Sequence, residues 1–213
     1  VALRLRSPLI FTAMNPGMPH SGFIGESKSA ILKEMEAAGD SIARWQLIHP
    51  HFGLEDSIKE LDRFVAESDL TYPLIIKPDE GQRGLGVKKV VDRKAAVEYL
   101  EQAAGPVIAQ AFVEGNEFGV FYIRHPDESK GRIFSITKKK LIEVVGDGKQ
   151  TLEKLILGDE RAVCMAPVFL KRFCLEADRV PETGERVRLV EVGTHSRGAV
   201  FLNGGKLETE ALR

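Results

Sequence analysis

Tyr72-Pro73-Leu74-Ile75-Ile76-Lys77-Pro78-Asp79-Glu80-Gly81-Gln82-Arg83-Gly84-Leu85-Gly86-Val87 is the stretch on which the reading of this chain turns. A short apolar β run carries one lysine to its end, and the following loop holds three glycines and an arginine. A lysine brings a point charge to phosphate oxygens, and glycines let backbone N–H groups approach an anion more closely than a Cβ allows. The pattern predicts an anion clamp suited to a triphosphate. A strand followed by a glycine-rich hairpin loop is also an ordinary feature of sheets, and three glycines by themselves do not separate the two.

Composition limits what such a clamp can serve. The 213 residues are 43% hydrophobic and 29% charged, ordinary globular usage and enough for one domain or two small lobes with a core. Thirty basic residues against thirty-one acidic ones give a net charge of -1, so nothing draws nucleic acid or an anionic membrane to the chain as a whole. Any anion site must be local. Cys164 and Cys174 show neither CxxC nor Cys/His ligand spacing, which predicts free thiols in a reducing compartment. No apolar run reaches membrane-spanning length and no signal-peptide pattern opens the chain, so the cytoplasm is the expected location. A start at Val1 rather than Met suggests an excised fragment.

Outward from the clamp, periodicity predicts a strand at 8–13 and a helix at 26–38, with Ile31, Leu32 and Met35 on one face and Gly39 as its stop. A strand follows at 41–48, then a helix at 55–67 showing Ile58, Leu61, Phe64 and Val65 at helical spacing. After the lysine strand at 73–77 come a strand at 86–91 and a helix to 104, N-capped by Asp92 and ended by Gly105-Pro106. Strands are expected at 107–112, 117–124, 131–138 and 141–144, short helices at 151–157 and 159–174, and strands at 186–192 and 199–202. The order argues for an α+β class with two subdomains, residues 26–106 and 107–213, after a leading segment 1–25.

A second chemical signal is Val107-Ile108-Ala109-Gln110-Ala111-Phe112-Val113-Glu114-Gly115-Asn116-Glu117. An apolar strand runs into a glycine-containing bend and then an acid. Such a hinge can offer backbone groups to a flat heterocycle, and the acid can accept from a ribose diol. An ordinary hairpin with an exposed Glu117 would show the same residues.

Taken together, these residues resemble the ATP-grasp superfamily, in which two α+β subdomains hold ATP in the cleft between them. The resemblance implies that Lys28, in Ser27-Lys28, is the first phosphate-binding lysine and Lys77 the second. Gly81, Gly84 and Gly86 are implied in the loop that closes over the phosphates, Gln110, Phe112 and Val113 in the adenine hinge, and Glu117 as the ribose acid. A cation near a helix N-terminus opposes the helix dipole, so Lys28 makes more sense where an anion visits.

Later segments narrow the likeness. Val144-Val145-Gly146-Asp147-Gly148, the helix from Thr151, and Val180-Pro181-Glu182-Thr183-Gly184-Glu185-Arg186-Val187-Arg188-Leu189 resemble the ligase region of cyanophycin synthetase and its relatives and, more distantly, D-alanine:D-alanine ligase. Gly193-Thr194-His195-Ser196-Arg197-Gly198 stands in the place of that group's N-x-S-x-G-G loop, with Thr194-His195 where Asn-Leu is usual. The likeness runs over roughly residues 22–205. It implies an ATP-dependent carboxylate–amine ligase working through an acylphosphate, with ATP and Mg2+ as cofactors. The implied partners are small-molecule carboxylates and amines, amino acids or short peptides, with a homodimer among the expected assemblies and no nucleic acid or membrane. Arg83 would reach the γ-phosphate, and Lys138 and Arg197 would serve the acylphosphate. One departure matters: the superfamily's Glu-x-Asn metal pair is missing. Glu191, in Val190-Glu191-Val192-Gly193, is the nearest candidate: either it is a degenerate metal ligand in a defective enzyme, or, as the register of the flanking motifs favours, the main metal ligands lie beyond Arg213 in a truncated domain. An ATP-grasp kinase or phosphotransferase and a nucleotide-binding module without catalysis are the alternatives.

Overall fold

A computed structural model describes residues 9–10, 25–81, 84–125 and 127–207. The chain divides into two compact units, Val1–Val113 and Glu114–Arg213.

The first unit is built on four antiparallel strands: β1 (Trp45–Ile48), β2 (Leu74–Pro78), β3 (Lys88–Val90) and β4 (Val107–Ala111), in the order β1-β4-β2-β3. Alternation gives the sheet two unlike faces. Leu74 and Ile76 of β2, Val107 and Ala109 of β4, Ile48 and Val90 point to one side, where helices α2 (Leu54–Glu67) and α3 (Arg93–Gln102) cover them. Leu61 and Phe64 of α2 and Ala96 and Leu100 of α3 complete this core, with Ile58 and Val65 packed against it. Both helices form where the spacing predicts them. Asp92 N-caps α3 by accepting from the Ala95 N–H at 2.7 Å. Arg93 holds Asp62 through two bonds of 2.8 Å, tying α3 to α2 at the surface.

The first helix is shorter than the 26–38 span expected. Helix α1 covers Lys28–Glu34, and a 3-10 segment, Glu36–Ser41, follows with Gly39 kinked inside it at φ 52°. Ser29 is the only buried residue of α1, so packing contributes little to prolong it. The strand expected at 41–48 starts only at Trp45, because β4 offers ladder partners from Val107 to Gln110. Of the strand expected at 8–13, only Leu9 and Ile10 are described, and they lie in a turn. Strand β4 pairs with both β1 and β2, so the first unit runs past the boundary at 106 that the sequence suggests.

The second unit holds two small sheets. Strands β5 (Phe118–Ile123), β6 (Arg132–Lys140) and β9 (Val200–Asn203) form one, and β7 (Glu143–Val145) pairs with β8 (Arg186–Arg188) in the other. Helices α4 (Leu152–Gly158) and α5 (Ala166–Arg172) contribute to a second core made by Ile142, Val144, Leu152, Ile156, Phe169, Val187, Leu189 and Val190. The single helix expected at 159–174 breaks into a 3-10 turn, Val163–Met165, and α5, because Pro167 lacks the N–H a continuing helix needs and starts a new one. The strand expected at 186–192 stops at Arg188, where its three-residue partner ends; the Leu189 N–H adds one further bond, to the Ile142 carbonyl.

The two motifs of this unit meet each other. Gly146 packs so closely on Pro181–Glu182 that a Cβ would lie 2.2 Å from the Glu182 carbonyl oxygen. The Gly146 N–H donates to Glu185 O, the Gly184 N–H to Gly146 O and the Gly148 N–H to Pro181 O. Among the described residues no helix is long and apolar enough to cross a membrane.

Candidate nucleotide site

The face of the first sheet opposite its helices carries the chemistry. Alternation places Ile75 and Lys77 of β2 there, with Ile108 and Gln110 of β4 and Lys89 of β3 beside them in register. The Lys77 ammonium donates to Gln110 Oε1 at 2.6 Å, and Gln110 Nε2 donates in turn to the Ala43 carbonyl at 3.3 Å. Burial, and then the nearby Lys28 charge, lower the Lys77 pKa below the ordinary lysine range. Gln110 is neutral, so the pair is a hydrogen bond without a counterion.

Lys89, which no sequence motif marks, joins this face from β3. Its ammonium stands 3.9 Å from the centre of the Phe112 ring, a cation–π contact. The signal that could have found it is register: Lys89 lies opposite Ile75, on the Lys77 face. Phe112 is half-buried and Val113 exposed.

The glycine-rich loop is anchored on both legs. On the first, the Lys28 ammonium donates to the Asp79 carbonyl at 2.9 Å and the Gly81 carbonyl at 3.1 Å. Lys28 therefore sits near its helix N-terminus with its charge already held by carbonyl oxygens. On the second, the Tyr99 hydroxyl donates to the Gly86 carbonyl at 2.6 Å. Gly84 and Gly86 adopt φ of 74° and 73°, and a Cβ on Gly86 would come 2.6 Å from Pro78 Cγ. Gly81 has φ 145°. Arg83 and Gln82 lie outside the described residues. A cavity of about 820 Å³ borders Glu80, Gly86, Lys88 and Tyr99, and neither Lys77 nor Gln110 lines it.

In the second unit, Glu117 begins the approach to β5. Its carboxylate is 3.5 Å from the Lys139 ammonium, and its carbonyl accepts the Lys139 N–H at 2.9 Å. Gly193 stands directly against it, where a Cβ would fall 1.6 Å from Glu117 Oε2. Glu117 and Lys138 line one cavity of about 440 Å³ together with Lys140 and Arg188. Arg197 is not among its lining residues; it lies in the 3-10 turn His195–Arg197.

Glu191, the metal-ligand candidate, lies beside a cation. Its carboxylate is 3.1 Å from the Arg172 guanidinium, which also donates to the Leu189 carbonyl. Among the described residues no three His, Cys, Asp or Glu side chains gather where they could hold a metal ion. Mg2+ bound with a nucleotide needs only one or two protein carboxylates beside the phosphates, so the resemblance leaves Glu191 as the residue that would contribute to holding it.

Known proteins give a consistent picture. The chain is 33% identical over 104 residues to a D-alanine–D-alanine ligase of Cupriavidus pinatubonensis, covering 47% of this chain and 31% of that protein. It is 23% identical over 133 residues to a cyanophycin synthetase of Trichormus variabilis, covering 61% of this chain and 13% of that protein. Among solved structures, D-alanine–D-alanine ligase from Bacillus anthracis aligns with a TM-score of 0.46 and 20% identity over 65% of this chain and 43% of that one. No protein-family profile matches. The chain is similar to ATP-grasp carboxylate–amine ligases, the class its ordered motifs resemble. The fold is α+β, and the chain spans less than a third of the length of these two curated relatives.

Proposed function

We propose that this chain holds the nucleotide in an ATP-dependent carboxylate–amine ligase that forms an amide or peptide bond through an acylphosphate, acting on an amino acid or short peptide. The observation that carries the reading is Lys77: a half-buried ammonium at the end of a strand, hydrogen-bonded to a neutral amide, with Lys28 nearby. Two cations that pair with no carboxylate among the described residues make a site that an anion completes. In this reading Lys28 and Lys77 hold the α- and β-phosphates, and Arg83 reaches the γ-phosphate. The adenine lies against Gln110, Phe112 and Val113, with the ribose on Glu117. Lys138 and Arg197 serve the acylphosphate. Transfer between anions needs neutralisation and positioning more than acid–base work, which suits this residue set.

Calorimetric titration with ATP is expected to give binding that Glu117→Ala weakens without unfolding the protein. Hydroxylamine added to a turnover assay with amino acids should trap an acylhydroxamate. A phosphorylated product stable to hydroxylamine would instead mark a phosphotransferase. The Arg172 partner of Glu191 favours one second reading, a nucleotide-binding module without catalysis. ATP binding with no substrate-dependent ADP release would support that module.

A further inference from the structure

We propose that Asp79 is the positioning residue for the phosphate end of this site: it fastens the segment bearing Lys28 to the first leg of the glycine-rich loop. The proposal rests on the nucleotide reading above. Asp79 is 8% exposed, one of the few buried polar residues described. All its polar groups are used. Oδ1 accepts the Ser29 N–H at 2.7 Å and Oδ2 accepts the Ser27 hydroxyl at 2.9 Å. Its carbonyl accepts both the backbone N–H of Lys28, at 3.1 Å, and the Lys28 ammonium, at 2.9 Å. Its own N–H donates to the Pro106 carbonyl at 2.9 Å, which ties the assembly to the start of β4.

Three consecutive residues, 27 to 29, are thus held by one side chain and its peptide. Ser29 is the only buried residue of helix α1, so apolar packing does little to fix it. A buried carboxylate carries a large desolvation penalty, and an apolar residue would fill the same space at lower cost. What the apolar residue could not do is place Lys28 relative to Gly81, whose carbonyl the same ammonium binds at 3.1 Å. Asp79 touches no reacting atom in this arrangement. It acts through Lys28 and the loop.

The test compares ATP with adenosine, which lacks the phosphates, in calorimetric titrations. Asp79→Ala is expected to weaken ATP roughly tenfold or more, the loss of one or two charge-assisted hydrogen bonds, and to leave adenosine within about twofold. Asp79→Asn keeps an acceptor for the Ser29 N–H and offers an N–H to the Ser27 hydroxyl, so it should restore ATP affinity to within roughly threefold of the unaltered chain. Ser27→Ala leaves the buried carboxylate in place with one partner fewer, and should weaken ATP about threefold with adenosine unchanged. Unchanged ATP affinity in Asp79→Ala, or in Ser27→Ala if the former does not fold, overturns the proposal. So does an equal loss for ATP and adenosine, which would mark a purely structural role. Failure of the unaltered chain to bind ATP would overturn the nucleotide reading itself.

Discussion

Lys77 ends its strand beside an amide, and an amide cannot neutralise it. Because burial and Lys28 lower its pKa, the lysine sheds its proton at a lower pH than a free one. The unfolded chain then binds more protons than the folded one between that lowered value and 10.5. Stability without ligand consequently rises with pH across that window, while affinity for an anion falls. ATP titrations at increasing pH should show this decline in the unaltered chain, and Gln110→Glu, which supplies a counterion, should move it upward. A second residue-scale expectation concerns Gly193. An alanine there must displace the Glu117 carboxylate, the far end of a flexible, half-exposed side chain, so the stability cost should stay below about 1 kcal/mol. Nucleotide affinity should nonetheless fall as in Glu117→Ala, and the double variant should lose little more, a non-additivity that a mutant cycle measures.

The elements show why two glycine-bearing motifs far apart in sequence belong to one turn system. Gly146→Ala forces a Cβ into the backbone at Glu182, and urea unfolding should report a loss of about 2–3 kcal/mol, the scale of overpacking. Asp147 supports the same turn. The backbone N–H of Gln150, then its side-chain amide and the Lys149 N–H, hold the Asp147 carboxyl down from 3.8 to about 2. A depressed carboxyl contributes stability above its unfolded pKa that is lost as pH falls through the folded one. Thermal melts between pH 4 and 2 should therefore decline more steeply in the unaltered chain than in Asp147→Asn. Helices α2 and α3 and the core face of the first sheet were legible in sequence because Leu61, Phe64, Ala96 and Leu100 keep a helical period and Leu74 and Ile76 alternate. The lengths of α1, β1, α5 and β8 were not, since partners and packing set them: β8 is as long as β7 allows, and Pro167 divides what periodicity joins. Lysine and glycines at the candidate site could be read from their order. Asp79 and Lys89 could not, because Asp79 acts on residues fifty positions earlier and Lys89 gains its meaning from strand register.

At the scale of the molecule, the two cores share no residue among those described. Calorimetry should resolve two unfolding transitions, and Leu61→Ala and Leu152→Ala should each lower a different one, by about 3–5 kcal/mol for a fully buried leucine. The chain is nearly neutral overall, yet Lys28, Lys77 and Lys89 belong to one unit and none makes an ion pair among the described residues. Positive potential of this kind is felt only at close range, since mobile ions screen exposed charges beyond about 8 Å at physiological salt. Encounter with a polyanion should then be steered in the last few ångströms alone, so that added salt slows ATP association while leaving the unfolding transitions almost where they were.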